Sequence, residues 1–82
     1  MKTYLIKSTF KNAKYYRSVI IEIYRIKHNV PVFIGGQEFN TGGWKGEKSC
    51  ALDILLDHKE ISKKAYGDGY FKSDNSFKLY SI

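Results

Sequence analysis

Lys11, Lys14, Tyr15, Tyr16 and Arg17 bring basic and aromatic side chains together within seven residues. Such a mixture can hold phosphate oxygens by charge while offering rings to bases or to an apolar partner surface. A second mixture, Lys63, Lys64, Tyr66, Tyr70, Phe71 and Lys72, lies late in the chain. Asp53, Asp57 and Glu60 recur at helical spacing, which gives either a carboxylate set or a solvated helix face. Cys50 and His58 are eight positions apart. On one helix that is more than two turns, so they do not share a proton, and Cys50 reads as a small core residue. His58 reads as an inner residue near a helix end, and His28 as a turn residue.

The glycine-rich stretch before Lys48-Ser49 has the composition of a phosphate-binding loop but not its spacing. Glu47 stands where such a loop needs glycine directly before the lysine, and its charge repels phosphate. Gly43-Trp44-Lys45-Gly46 matches the G-x-x-G pattern with which KH domains clamp a nucleic-acid backbone. Trp44 either packs on the edge of the core or forms, with Lys45, an exposed contact tip. Asp68 and Asp74 have Lys72 between them and no bidentate Glu after them, so they do not form a calcium loop. No cofactor, no metal and no catalytic constellation is expected.

The charge is unevenly distributed. Residues 1–30 carry seven basic side chains (Lys2, Lys7, Lys11, Lys14, Arg17, Arg25 and Lys27) against Glu22 alone, and the rest of the chain is balanced, so the formal +6 is local in sequence. Charge gathered on one face steers binding, whereas scattered charge mainly provides solubility. Eighty-two residues fit one compact domain, residues 1–82. A chain of this length buries only a little over ~60% of its unfolded surface, which leaves scant room for a deep enzyme pocket. One cysteine makes no intrachain disulfide and suits a reducing cytoplasm. The first apolar run stops at Lys7, too short for a secretion signal, and no run approaches the ~20 apolar residues of a membrane span. The expectation is a cytoplasmic protein without membrane attachment.

The elements that position these groups follow from patterning. The first forty residues are rich in Tyr, Phe, Val, Ile and Thr, and turn signals at residues 11–14 and at His28-Asn29 divide them into three strands of an antiparallel meander. Val19, Ile21 and Ile23 form an unbroken apolar face, whereas Glu22 interrupts the alternate one, so the odd face belongs to the core. A two-residue turn at His28-Asn29 sets Ile26 opposite Pro31, Tyr24 opposite Phe33 and Ile23 opposite Ile34. The other face then gathers Tyr16, Ile20, Tyr24, Ile26 and Phe33. Pro31 places the third strand at an edge or delays its start, and Gly35-Gly36 signals a bulge or a close backbone approach. The period changes to that of a helix from Glu47 to about Lys59. Ala51, Ile54 and Leu55 face inward with Leu52 at the flank, and Ser49, Asp53, Asp57 and Glu60 face outward. Ile61 to Gly69 reads as a connector, and Tyr70 to Ile82 as a hairpin about Asp74-Asn75 or a final strand from Phe77 to Ile82. The fold class is α+β in βββαβ order: an antiparallel meander plus a C-terminal strand, with one helix on one face. The arrangement is dipolar, basic at the sheet and acidic on the helix.

Two resemblances follow. Three antiparallel strands and a packed helix over Tyr15 to His58, carried by Tyr16-Arg17-Ser18-Val19 and Val32-Phe33-Ile34-Gly35, resemble the layout of AP2-type and integrase arm-binding DNA-binding domains. That likeness implies a nucleic-acid partner met by the sheet face away from the helix. In format the chain resembles small phage anti-CRISPR proteins: one compact domain, an opening strand Thr3-Tyr4-Leu5-Ile6-Lys7, a meander and a helix. This second likeness implies a non-catalytic inhibitor from a phage or mobile element that occupies a host protein or nucleoprotein complex. The residues expected to carry either role are Lys11, Lys14, Tyr16 and Arg17, with Trp44 and Lys45 as a second contact. A direct nucleic-acid-binding module and a homodimeric accessory protein stand as alternatives, and the protein is expected to be a monomer or a homodimer.

Overall fold

The structure, a computed structural model, describes residues 2–12, 17–42, 46–63 and 77–82, with the backbone alone at positions 12 and 17. Its elements are β1 (Lys2–Asn12), β2 (Arg17–Lys27), β3 (Val30–Asn40), α1 (Glu47–Asp57) and β4 (Phe77–Ser81). They form one four-stranded sheet in the order β3-β2-β1-β4 with the helix packed against it, an α+β fold. The first three strands are the expected meander, each antiparallel to the next. β4 joins β1 in parallel, which makes the sheet mixed. The topology explains this. α1 carries the chain back from the end of the sheet where β3 finishes to the end where β1 begins, so the following strand starts alongside Lys2. Residues 70–76, and with them the Asp74-Asn75 turn, lie outside the described residues.

His28 and Asn29 form the two-residue turn between β2 and β3, with φ of 50° and 63°. Left-handed backbone at both central positions matches the twist of the flanking strands. The register follows as expected for Ile26 with Pro31 and Tyr24 with Phe33, and Pro31 lies on an edge strand. It differs at the next pair. Ile23 faces Gly35, not Ile34, because the ladder shifts between Ile23 and Tyr24 and leaves Ile34 as the extra residue of a bulge. The His58 ring supplies the reason: a Cβ at position 35 would lie 2.4 Å from His58 Nε2. The bulge therefore brings a glycine to the place where the helix end meets the sheet, and Ile34 still packs against the core.

Val19, Ile21 and Ile23 are fully buried, as the odd-face reading requires. Tyr4 and Ile6 on β1 and Phe77 on β4 extend that layer, and Cys50, Ala51, Leu52, Ile54 and Leu55 close it from the helix. Ser49 was expected on the outer helix face but is buried. Ile61, read as part of a connector, is a core residue.

The helix stops at Asp57, two residues before the sequence period suggested. Lys59 adopts φ 57°, its N–H donates to the Leu56 carbonyl, and the Glu60 N–H donates to the Leu55 carbonyl. This is a left-handed helix cap, a position that glycine ordinarily takes because it has no Cβ to clash. The reversal folds Glu60 and Ile61 back onto the sheet. Lys59→Gly is expected to stabilise the domain by about 0.5–1 kcal/mol, read as a higher urea midpoint with an unchanged slope. An unchanged or lower midpoint would contradict this account of the cap.

Candidate interaction surface

Two carboxylates hold the helix on the sheet, one near each end. Glu47, in the first turn of α1, accepts a hydrogen bond from Ser8 Oγ on β1 at 2.5 Å and another from Ser81 Oγ on β4. Beyond the other end, Glu60 Oε1 accepts from the Tyr4 hydroxyl at 3.2 Å and lies 3.7 Å from Arg25 Nη1. Lys2 Nζ donates to the Glu60 main-chain carbonyl at 3.2 Å. Glu60 therefore does not belong to an outer acidic face, which corrects the sequence reading. The left-handed cap at Lys59 turns it inward. Of the three acids at helical spacing, Asp57 is exposed and Asp53 partly so. Burial, followed by the charge and hydrogen bond of Glu60, pushes the Tyr4 phenol up to about 12.

One helix covers one face of the sheet. On the other face the register aligns Tyr80 of β4 with Leu5 of β1, Leu5 with Tyr24 of β2, and Tyr24 with Phe33 of β3, so one row of apolar and aromatic side chains crosses all four strands. Phe33 is 54% exposed and Tyr80 49%, while Leu5 and Tyr24 are partly exposed. The Tyr24 and Phe33 rings meet edge to face at 5.6 Å. Ile20 and Ile26 of the same face are also partly exposed. The sequence reading had collected Ile20, Tyr24, Ile26 and Phe33 here. It missed Leu5 and Tyr80, whose alignment depends on the pairing of β1 with β2 and β4.

Some of the basic residues lie beside acids. Lys7 pairs across the ladder with Glu22, which also accepts from the Tyr24 hydroxyl at 3.4 Å, and Lys11 Nζ lies 3.8 Å from Glu38 Oε1. Arg25, on the helix side, is taken by Glu60. Of the basic residues among the first thirty, Lys11 and Arg25 thus meet acids in space, from β3 and the helix end.

Of the residues expected to carry function, Lys11 is exposed on the open face and paired with Glu38. Arg17 begins β2 opposite Asn12, with only its backbone described. Lys14, Tyr16, Trp44 and Lys45 lie outside the described residues, as do Lys64 to Lys72 of the late cluster. Cys50 is buried in the first turn of α1 and His58 caps its other end, roughly 12 Å along the axis at 1.5 Å per residue. Among the described residues, no three His, Cys, Asp or Glu side chains gather to hold a metal ion, and no helix is long and apolar enough to cross a membrane. Comparison of the chain with protein-family models, curated proteins and solved structures found no match.

The Tyr4 contact gives a pH dependence of definite sign. The folded state holds the phenolic proton more tightly than the unfolded chain, whose tyrosines titrate near 10. The stability this confers is complete below pH 10 and is lost as pH rises through about 12. The stability difference between wild type and Tyr4→Phe, from urea melts at pH 9 to 12, is expected to shift against wild type over that interval. Parallel curves would show that Tyr4 is not held in this way.

Proposed function

We propose that this chain works by binding and not by turnover, as a small stoichiometric inhibitor of phage or mobile-element type that docks on a host nucleoprotein complex. The row of Tyr80, Leu5, Tyr24 and Phe33 across four strands carries this reading. Exposed aromatic and aliphatic side chains in a contiguous band have the character of an interface centre, where desolvation is cheap and rings supply area. Lys11 lies on this face, and in the same reading Lys14, Tyr16 and Arg17 join it as the first contact, with Trp44 and Lys45 as the second. An open-face row of rings and aliphatic side chains favours a protein surface over bare phosphate as its occupant. In this role the chain acts in the host cytoplasm.

The test exchanges the row without touching the core. Phe33→Glu with Tyr80→Glu removes two half-exposed side chains, so the thermal midpoint is expected to stay within about 3 °C of wild type. A tagged wild-type chain is expected to retain one defined nucleoprotein complex from host extract, and the double variant to lose it at least about tenfold. Equal retention by both proteins would remove the open face from the mechanism. Light scattering is expected to give the 9.5 kDa monomer. Twice that mass for wild type, reverting to monomer in the variant, would assign the face to a homodimer instead.

A further inference from the structure

Basic side chains gather at one end of the domain. β1 starts there, β2 ends there, β4 starts there, and α1 runs toward it, as the Glu60 contacts with Tyr4, Arg25 and Lys2 show. These four termini bring together Lys2, Lys27, Lys59 and Lys78, all exposed, around the partly buried Arg25. The acids at this end are Asp57 and Glu60, and Glu60 is already engaged by Tyr4 and Arg25. Five basic side chains thus face two acidic ones, and Lys27, Lys59 and Lys78 have no acidic partner among the described residues. These lysines come from both halves of the sequence, from Lys2 to Lys78, and only the strand order unites them.

We infer that this basic end binds the phosphate backbone of a single-stranded nucleic acid. Lys2 and Lys27 stand on the helix side of the neighbouring strands β1 and β2, about 4.8 Å apart, and Lys78 stands on the open face of β4, so their charges wrap round the end of the sheet instead of meeting at a single point. Cations spread round an edge fit a chain of phosphates better than one compact anion. The adjoining aromatic side chains decide between a nucleic acid and an acidic protein. Tyr80 lies two residues beyond Lys78 on the same face of β4, and Phe33 lies two beyond Pro31 on the open face. Both are half exposed, and a strand held at the basic end can lay its unpaired bases on these rings. Duplex bases are stacked on each other and cannot do so. The inference goes beyond the docking role proposed above and does not need a protein partner, so either can fail alone.

The test is fluorescence anisotropy of a labelled fifteen-nucleotide oligothymidylate with the purified chain. Binding at micromolar protein is expected in 50 mM salt, weakening about a hundredfold by 500 mM, the slope for about three phosphates at ~0.7 each. Lys27→Glu with Lys78→Glu is expected to weaken binding at least about tenfold, whereas Lys48→Glu, at the far end of the helix, changes it less than about twofold. Should the glutamate pair fail to melt like wild type, Lys27→Gln with Lys78→Gln takes its place with a smaller loss in the same direction. The inference is overturned by no binding at low salt, by equal loss in the Lys48 variant, or by a duplex of the same length binding as tightly as the single strand. It is overturned equally by decaglutamate displacing the strand at equal concentration, which would make the site one for acidic protein.

Discussion

An eleven-residue helix is about 16 Å long and covers one face of a four-stranded sheet, and the rest of this structure depends on that contact. Val19, Ile21 and Ile23 supply the sheet side of the layer, and Ala51, Ile54 and Leu55 the helix side. Removing one of these large side chains costs roughly 2–5 kcal/mol, comparable to the whole stability of a domain this small. The seam therefore tolerates little variation. Glu47 and Glu60 fix its two ends by tying the helix to β1, β2 and β4 through Ser8, Ser81, Tyr4 and Arg25. Each carboxylate is met by more than one polar group, which offsets the cost of drawing charge away from water.

Because one face is closed, the other is left open, and the two surfaces differ in kind. The open face presents an aromatic row, whereas the end where α1 finishes presents unpaired lysines. A partner that combines protein with nucleic acid offers chemistry complementary to both. The exposed edge of β3 is less suited to a partner. Pro31 lacks an N–H and the bulge at Ile34 bends the strand, two features that discourage further strand addition.

The meander, the helix and the core face were legible in the sequence because each rests on local periodicity: alternation at Val19, Ile21 and Ile23, helical spacing at Ala51, Ile54 and Leu55, and a turn at His28-Asn29. What depends on contacts between distant segments was not legible. The bulge at Ile34 is set by the His58 ring above Gly35, twenty-three positions away. The inward turn of Glu60 depends on Lys59 taking a left-handed conformation that its residue type does not advertise. The basic excess of the first thirty residues suggested a charged stripe, but folding pairs Lys7 with Glu22, Lys11 with Glu38 and Arg25 with Glu60, and gathers a different set of lysines at the helix end. Sequence locality and spatial locality of charge parted here. Of the candidate site, Lys11 is the one residue whose described side chain lies on the open face.

The central claim is that this sheet has one covered face and one open face. Methyl relaxation in the presence of a soluble gadolinium chelate tests it most directly, since attenuation follows approach of the chelate to each methyl group. Ile20 and Ile26, with Leu5, should be strongly attenuated, and Ile21 and Ile23, their neighbours along β2, should be protected. Equal protection of both sets in a monomeric sample would show that something else covers the second face, and would contradict the account.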